Sequence, residues 1–199
     1  MRGPAVKVSR ILQVLRCYPE VGERTRIPWM PVGFSADPVH SVRMNSELRR
    51  TLGSARALRF LCTGNVVRSA FAELYARERG CPLAVDSAAT TYQHDGLFTE
   101  TRAALLERGL SGSVLDRFAP RHLSRLGEED PEGLIVFGMG SEHLEEWRAL
   151  RPQPGPCFLL AEALGSRRRI ADPVLDGVSF TGAFDEIERC VDALLDGLR

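Results

Sequence analysis

Apolar residues in this chain fall into short continuous runs separated by stretches with helical spacing. Leu58–Leu61, Leu83–Val85, Gly133–Phe137 and Pro156–Leu160 are strand-sized runs. Ala70–Arg79, ended by Gly80, reads as a helix. Thr99 and Glu100 open a second, with Ala103, Leu106 and Leu110 on one face and Gly109 near its end. Ser141, ahead of His143–Leu150, predicts a capped third. Thr181–Leu198 predicts a long terminal helix whose stripe is Phe184, Ile187, Val191 and Leu194. Strands alternating with helices predict an α/β fold: a three-layer sandwich with a central four-stranded parallel sheet and helices on both faces. In such sheets ligands bind beyond the carboxyl ends of the strands, so the loop after the first strand is where a site is expected.

The first 57 residues follow a different pattern. Val8, Ile11, Leu12 and Leu15 suit a short amphipathic helix within residues 1–17. Pro19, Pro28, Pro31 and Pro38 mark residues 18–43 as loop or linker. Asn45 or Ser46 is placed to cap a short helix through Leu52. The domain expectation is therefore a basic extension over 1–57, partly helical or disordered, and a regular α/β domain over 58–199. Met44 stands just ahead of that domain and is a candidate start.

Charge supports the division. The formal net charge is zero, yet residues 1–57 hold ten basic and four acidic side chains. Such an arm can meet an acidic partner or fold back on its own acidic domain. No nucleic-acid or membrane partner is expected. Hydrophobic residues make up 44% and charged residues 26%, the profile of a soluble globular protein. The five cysteines form no CxxC pair, which argues against a zinc site or disulfide framework and for reduced thiols in the cytoplasm.

The loop after the first run reads Leu61-Cys62-Thr63-Gly64-Asn65-Val66-Val67-Arg68-Ser69. A Cys with an Arg six positions later arises by chance roughly 0.6 times in a chain this rich in Arg, so context decides. Here the pair lies between a strand and a helix, where backbone N–H groups converge on an anion. Gly64 lets the backbone approach closely, and Asn65 tolerates the left-handed conformation a cradle requires. Arg68 can grip two phosphate oxygens with its planar fork. The same positive field favours the Cys62 thiolate, the nucleophilic form, and Ser69 can donate to it. A cysteine at a strand end is otherwise a small buried hydrophobe.

The stretch LCTGNVVRSAFAE resembles the active-site signature of the low-molecular-weight protein tyrosine phosphatases, roughly V-C-x-G-N-x-C-R-S-P-x-A-E. Val85–Thr90, Arg102–Gly109, Gly133–Met139 and Ala171-Asp172-Pro173 resemble later family segments in the same order, and the match spans about residues 58–199. The resemblance implies that Cys62 attacks phosphorus, that Arg68 and the amides of Thr63 to Ser69 bind the phosphoryl oxygens, and that Asp172 protonates the leaving phenolate. It further implies that Asn65, Ser69 and Ser87 form a supporting hydrogen-bond network, that no metal or other cofactor is needed, and that the substrate is a phosphotyrosine protein or a small aryl phosphate.

Some residues depart from the family pattern. Val67 stands where many members carry a second Cys, which removes the usual disulfide partner of the nucleophile. Ala70 replaces Pro, and Phe118 lies near the place of a network His. Val174 and Leu175 follow Asp172-Pro173 where aromatics often flank the substrate ring, while Tyr92 or Phe98 can form a wall from the other side. His94, His122 and His143 have no metal-ligand spacing, and His143 is expected to face solvent or cap locally. Two other functions compete. A thiol-dependent arsenate reductase shares this fold and loop but needs further cysteines close together, whereas Cys81, Cys157 and Cys190 are scattered. A phosphoprotein binder without turnover would have no use for Cys62, Arg68 and Asp172 together.

Overall fold

The computed structural model describes residues 43–92, 94–127, 129–151 and 153–199. The helix expected within residues 1–17, and the linker up to residue 42, lie outside the described residues. In chain order the elements are α1 (Ser46–Leu52), β1 (Ala57–Cys62), α2 (Arg68–Glu78), β2 (Ala84–Ala89), α3 (Thr99–Glu107), α4 (Gly112–Asp116), β3 (Leu134–Gly138), α5 (Ser141–Leu150), β4 (Cys157–Leu159) and α6 (Phe180–Gly197). Single 3₁₀ turns cover Leu123–Arg125 and Leu160–Leu164.

The four strands form one parallel sheet in the order β2-β1-β3-β4. β1 lies at its centre, with Cys62 opposite Ala89 of β2 and Leu58 opposite Ile135 of β3. Side chains alternate across a strand, so β1 feeds two cores. Leu58, Phe60 and Cys62 face one core, which holds Phe71 of α2 and Phe184, Ile187 and Val191 of α6. Ala57 and Leu61 face the other, which holds Leu144 and Trp147 of α5. Helices therefore cover both faces, as the alternating pattern predicts.

Each helix has its own start. Asn45 is the residue that caps α1: its side-chain oxygen accepts from the N–H groups of Glu47 (2.8 Å) and Leu48 (3.3 Å). Leu48 and Leu52 of α1, with Met44 before it, are buried in the same core as α6. Ser179 caps α6 by accepting from Gly182 N–H at 3.0 Å.

Two polar positions inside strands have specific partners. Arg59 interrupts the apolar run of β1 yet is buried. Its guanidinium donates to both carboxylate oxygens of Asp86 on β2 (2.7 and 2.8 Å), reaches Asp130 (3.0 Å) and lies over the Trp147 ring. β2 runs to Ala89, four residues past the expected end, because Asp86 and Ser87 are satisfied within the fold. Among the described residues no helix is long and apolar enough to cross a membrane.

Candidate active site

β1 ends at Cys62, and the chain turns through five residues before α2 begins at Arg68. Asn65 makes this turn possible. It has φ 54°, the one positive φ among described non-glycine residues. Its side chain holds the turn from inside. Nδ2 donates to Ser69 Oγ (3.0 Å) and to Ser87 Oγ (2.6 Å), and Oδ1 accepts from Arg121 N–H (2.8 Å). All four of these amide and hydroxyl groups are buried or pinned to buried partners, which fixes the amide's orientation. Ser87 in turn donates to the buried Glu73 carboxylate of α2, which also pairs with Arg77 at 2.8 Å. Burial is the main influence on Glu73 and raises its pKa against the opposing Ser87 hydrogen bond.

Ser69 Oγ accepts from Asn65 and lies 2.9 Å from Cys62 Sγ, where its own proton is free to be donated to a thiolate. Asn65 N–H also donates to Sγ, at 3.3 Å. A thiolate at this position would accept both hydrogen bonds. Among the described residues the backbone N–H groups of Gly64, Val66, Val67, Arg68 and Ser69 have no protein acceptor. They belong to one tight loop and to the first turn of α2, where the helix dipole adds to their field.

Arg68 is buried and its fork closes the far side of the loop. Nη1 donates to the Ile170 carbonyl (3.0 Å), and Nη2 donates to Thr63 Oγ1 (3.3 Å) and to Asp172 Oδ2. Asp172 is buried too; its Oδ1 accepts from Val174 N–H at 3.0 Å, and its own N–H donates to Asp176 Oδ2 at 2.7 Å. The structure therefore brings Cys62, Arg68 and Asp172 to one place, although 104 positions separate the last two.

The rim is formed by the segment after β2. Thr91 and Tyr92 N–H both donate to Thr63 O (3.1 and 3.0 Å), and Phe98 N–H donates to Val66 O (3.2 Å). Both ends of this segment are tied to the loop, and Tyr92 is exposed between them. Val174 is half-buried against the core and Leu175 is exposed. His94 lies on Gly64: a Cβ there would sit 3.0 Å from its Cδ2 and Nε2, so a larger residue would have to push the imidazole aside. Phe118 packs partly buried against the core.

His143 corrects the expectation of a solvent-facing side chain. It is 1% exposed. It does cap locally, since Nδ1 accepts from Gly140 N–H at 3.0 Å, and Nε2 lies 3.2 Å from Thr63 Oγ1. Burial, then the Arg68 charge, push its pKa down to about 4. The sequence did carry a signal: His143 is the third residue of a helix that begins at the carboxyl end of β3, where ligands bind in this class.

A parallel α/β sheet that presents a cysteine inside an amide-lined loop, backed by an arginine, defines a class of proteins built to hold a tetrahedral oxyanion against sulfur. Comparison with solved structures narrows this. YfkJ from Bacillus subtilis matches with a TM-score of 0.61 at 23% identity, over 72% of this chain and 94% of its own. The low-molecular-weight protein tyrosine phosphatase from T. tengcongensis matches with a TM-score of 0.58 at 23% identity, over 71% and 99%. YwlE arginine phosphatase from Geobacillus stearothermophilus matches with a TM-score of 0.55 at 24% identity, over 72% and 92%. No family profile and no curated protein matches the sequence. The chain shares the fold of the low-molecular-weight protein tyrosine phosphatases.

Proposed function

We propose that this protein is a phosphatase that hydrolyses phosphotyrosine or other aryl phosphate monoesters through a cysteinyl-phosphate at Cys62. The observation that carries this reading is the sulfur itself, within hydrogen-bonding distance of Ser69 Oγ and Asn65 N–H in a loop whose other N–H groups have no acceptor among the described residues. The Cys62 thiolate attacks phosphorus as the P–O bond to the phenol breaks. Asp172 gives its proton to the leaving oxygen. Arg68 and the loop amides neutralise the phosphoryl oxygens during transfer. Water then attacks the cysteinyl-phosphate, Asp172 takes its proton, and the S–P bond breaks to return thiolate and inorganic phosphate. Tyr92 and Val174 are the proposed walls for the aryl ring, and such an apolar and aromatic rim favours a phenol over a guanidinium leaving group.

Among the described residues the arsenate reductase alternative finds no thiol relay. Burial holds the thiols of Cys81 and Cys157 above the ordinary range, and Cys190, deep in the core, is pushed up to about 12. Such thiols are poor partners in exchange.

The test is hydrolysis of p-nitrophenyl phosphate without added metal, with phosphotyrosine and phosphoarginine in parallel. Cys62→Ser is expected to abolish turnover, and Asp172→Ala to lower kcat by about 10²–10³-fold. A folded wild type with no turnover on any of the three would overturn the proposal. Preference for phosphoarginine would overturn the aryl assignment alone.

A further inference from the structure

The hydrogen bonds around Thr63 leave its hydroxyl only one role. His143 Nδ1 accepts from Gly140 N–H, so the neutral ring carries its proton on Nε2. That proton is directed at Thr63 Oγ1, 3.2 Å away. Arg68 Nη2 donates to the same oxygen at 3.3 Å. A hydroxyl has two lone pairs and one proton. Both lone pairs are taken, and among the described residues no protein group accepts the Thr63 proton. Thr63 is the residue directly after the nucleophile, half-buried, in the loop whose amides also have no protein acceptor.

We propose that the Thr63 hydroxyl is a hydrogen-bond donor to the phosphoryl group of the substrate, fixed in that sense by His143 acting as a positioning residue. The proposal rests on the phosphatase reading but concerns binding of the phosphoryl oxygens, which phosphate itself can report. His143 touches no substrate. Were it absent, the hydroxyl would be free to rotate and to turn its proton onto another acceptor. The bond to Arg68 makes the same hydroxyl a strut under the guanidinium, so His143 supports the two donors together. This role lies 80 positions from Thr63 in sequence and belongs to no loop motif.

Two isosteres separate positioning from packing. In Gln the terminal nitrogen replaces Nε2 and keeps the donor to Thr63. In Asn the oxygen replaces Nδ1 and keeps only the acceptor for Gly140. Inorganic phosphate is titrated into the full chain and its Thr63→Val, His143→Asn, His143→Gln and Thr63→Val/His143→Asn variants, with melting temperature as the fold control. In parallel, kcat and KM are measured on p-nitrophenyl phosphate. Thr63→Val, nearly isosteric, and His143→Asn are each expected to weaken phosphate binding by about tenfold, the size of one hydrogen bond to a charged group. The double variant is expected to lose no more than either single one, and His143→Gln to recover to within about threefold of wild type. Wild-type phosphate binding by Thr63→Val, equal losses in the Asn and Gln variants, or additive losses in the double variant would each overturn the proposal. A wild type that binds phosphate without turning over ester would sink the phosphatase reading and leave this test decided by the phosphate arm. A wild type that binds no phosphate would overturn both.

Discussion

Asn65 and His143 show how much a single residue can determine here. Asn65 was legible in the sequence because its task is local: a left-handed turn between a strand and a helix, next to Cys62. Its partners were only partly legible. Ser69 lies four positions away, but Arg121 is reached across 56 positions and so belongs to no local pattern. His143 was read only in part for the same reason: its local capping was expected, its burial against Thr63 was not. A polar residue on a helix reads as solvent-facing unless its tertiary partner is known. Its burial also makes stability depend on pH. An unfolded histidine titrates near 6.5, whereas His143 in the fold does so at about 4, against Arg68 on one side and Glu142 and Asp172 on the other. The unfolded chain therefore binds this proton first. The stability from the neutral ring is complete above about pH 7 and is lost as pH falls from 6.5 towards 4, by up to about 3 kcal/mol. Denaturant unfolding at pH 7.0 and pH 5.0 should show a smaller loss in His143→Gln than in wild type; equal losses would count against this assignment.

Among elements, the legible ones were those whose stability comes from a periodic apolar face. The stripe Phe184, Ile187, Val191 and Leu194 is buried in α6 as its spacing requires, and Cys190 joins it. β2 was read short because its polar positions, Asp86 and Ser87, resemble the end of a strand; their partners Arg59 and Asn65 come from elsewhere. α4 spans five residues, too few for a periodic signal. The cap at Asn45 was readable, but where α1 packs was not, since Leu48 and Leu52 meet α6 almost 150 residues later. This packing has a consequence for truncation. A chain beginning at residue 54 loses Met44, Leu48 and Leu52, and exposes the core they cover. At roughly 1.5–3 kcal/mol per buried side chain, the cost is about 5–9 kcal/mol, comparable with the whole stability of an ordinary domain. Urea unfolding of chains beginning at residue 43 and at residue 54 would show it; similar midpoints would mean that α1 is dispensable.

At the scale of the whole molecule, the chain segregates its polar networks to the two ends of the sheet's function. Arg59, Asp86 and Asp130 tie strands and a loop together where no chemistry is proposed. At the carboxyl end of β1, Arg68 is neutralised by Asp172, and Arg169 beside it is paired with Asp176 at 2.6 Å. Arg68 and Arg169 at the proposed phosphate-binding end are thus each matched by an anion before substrate arrives. Seen from beyond a Debye length, about 8 Å at physiological salt, these pairs are dipoles with almost no net field. Under the proposed function, an approaching phosphate would then be found by diffusion and gripped only on contact, displacing Asp172 from Arg68 and leaving that carboxyl beside the leaving group. Attraction at a distance would make kcat/KM fall steeply with salt; here it should change by less than about threefold between 20 and 500 mM sodium chloride. The pairing of Arg68 with Asp172 gives a site that is silent to anions at long range and exchanges one carboxylate for one phosphate at short range.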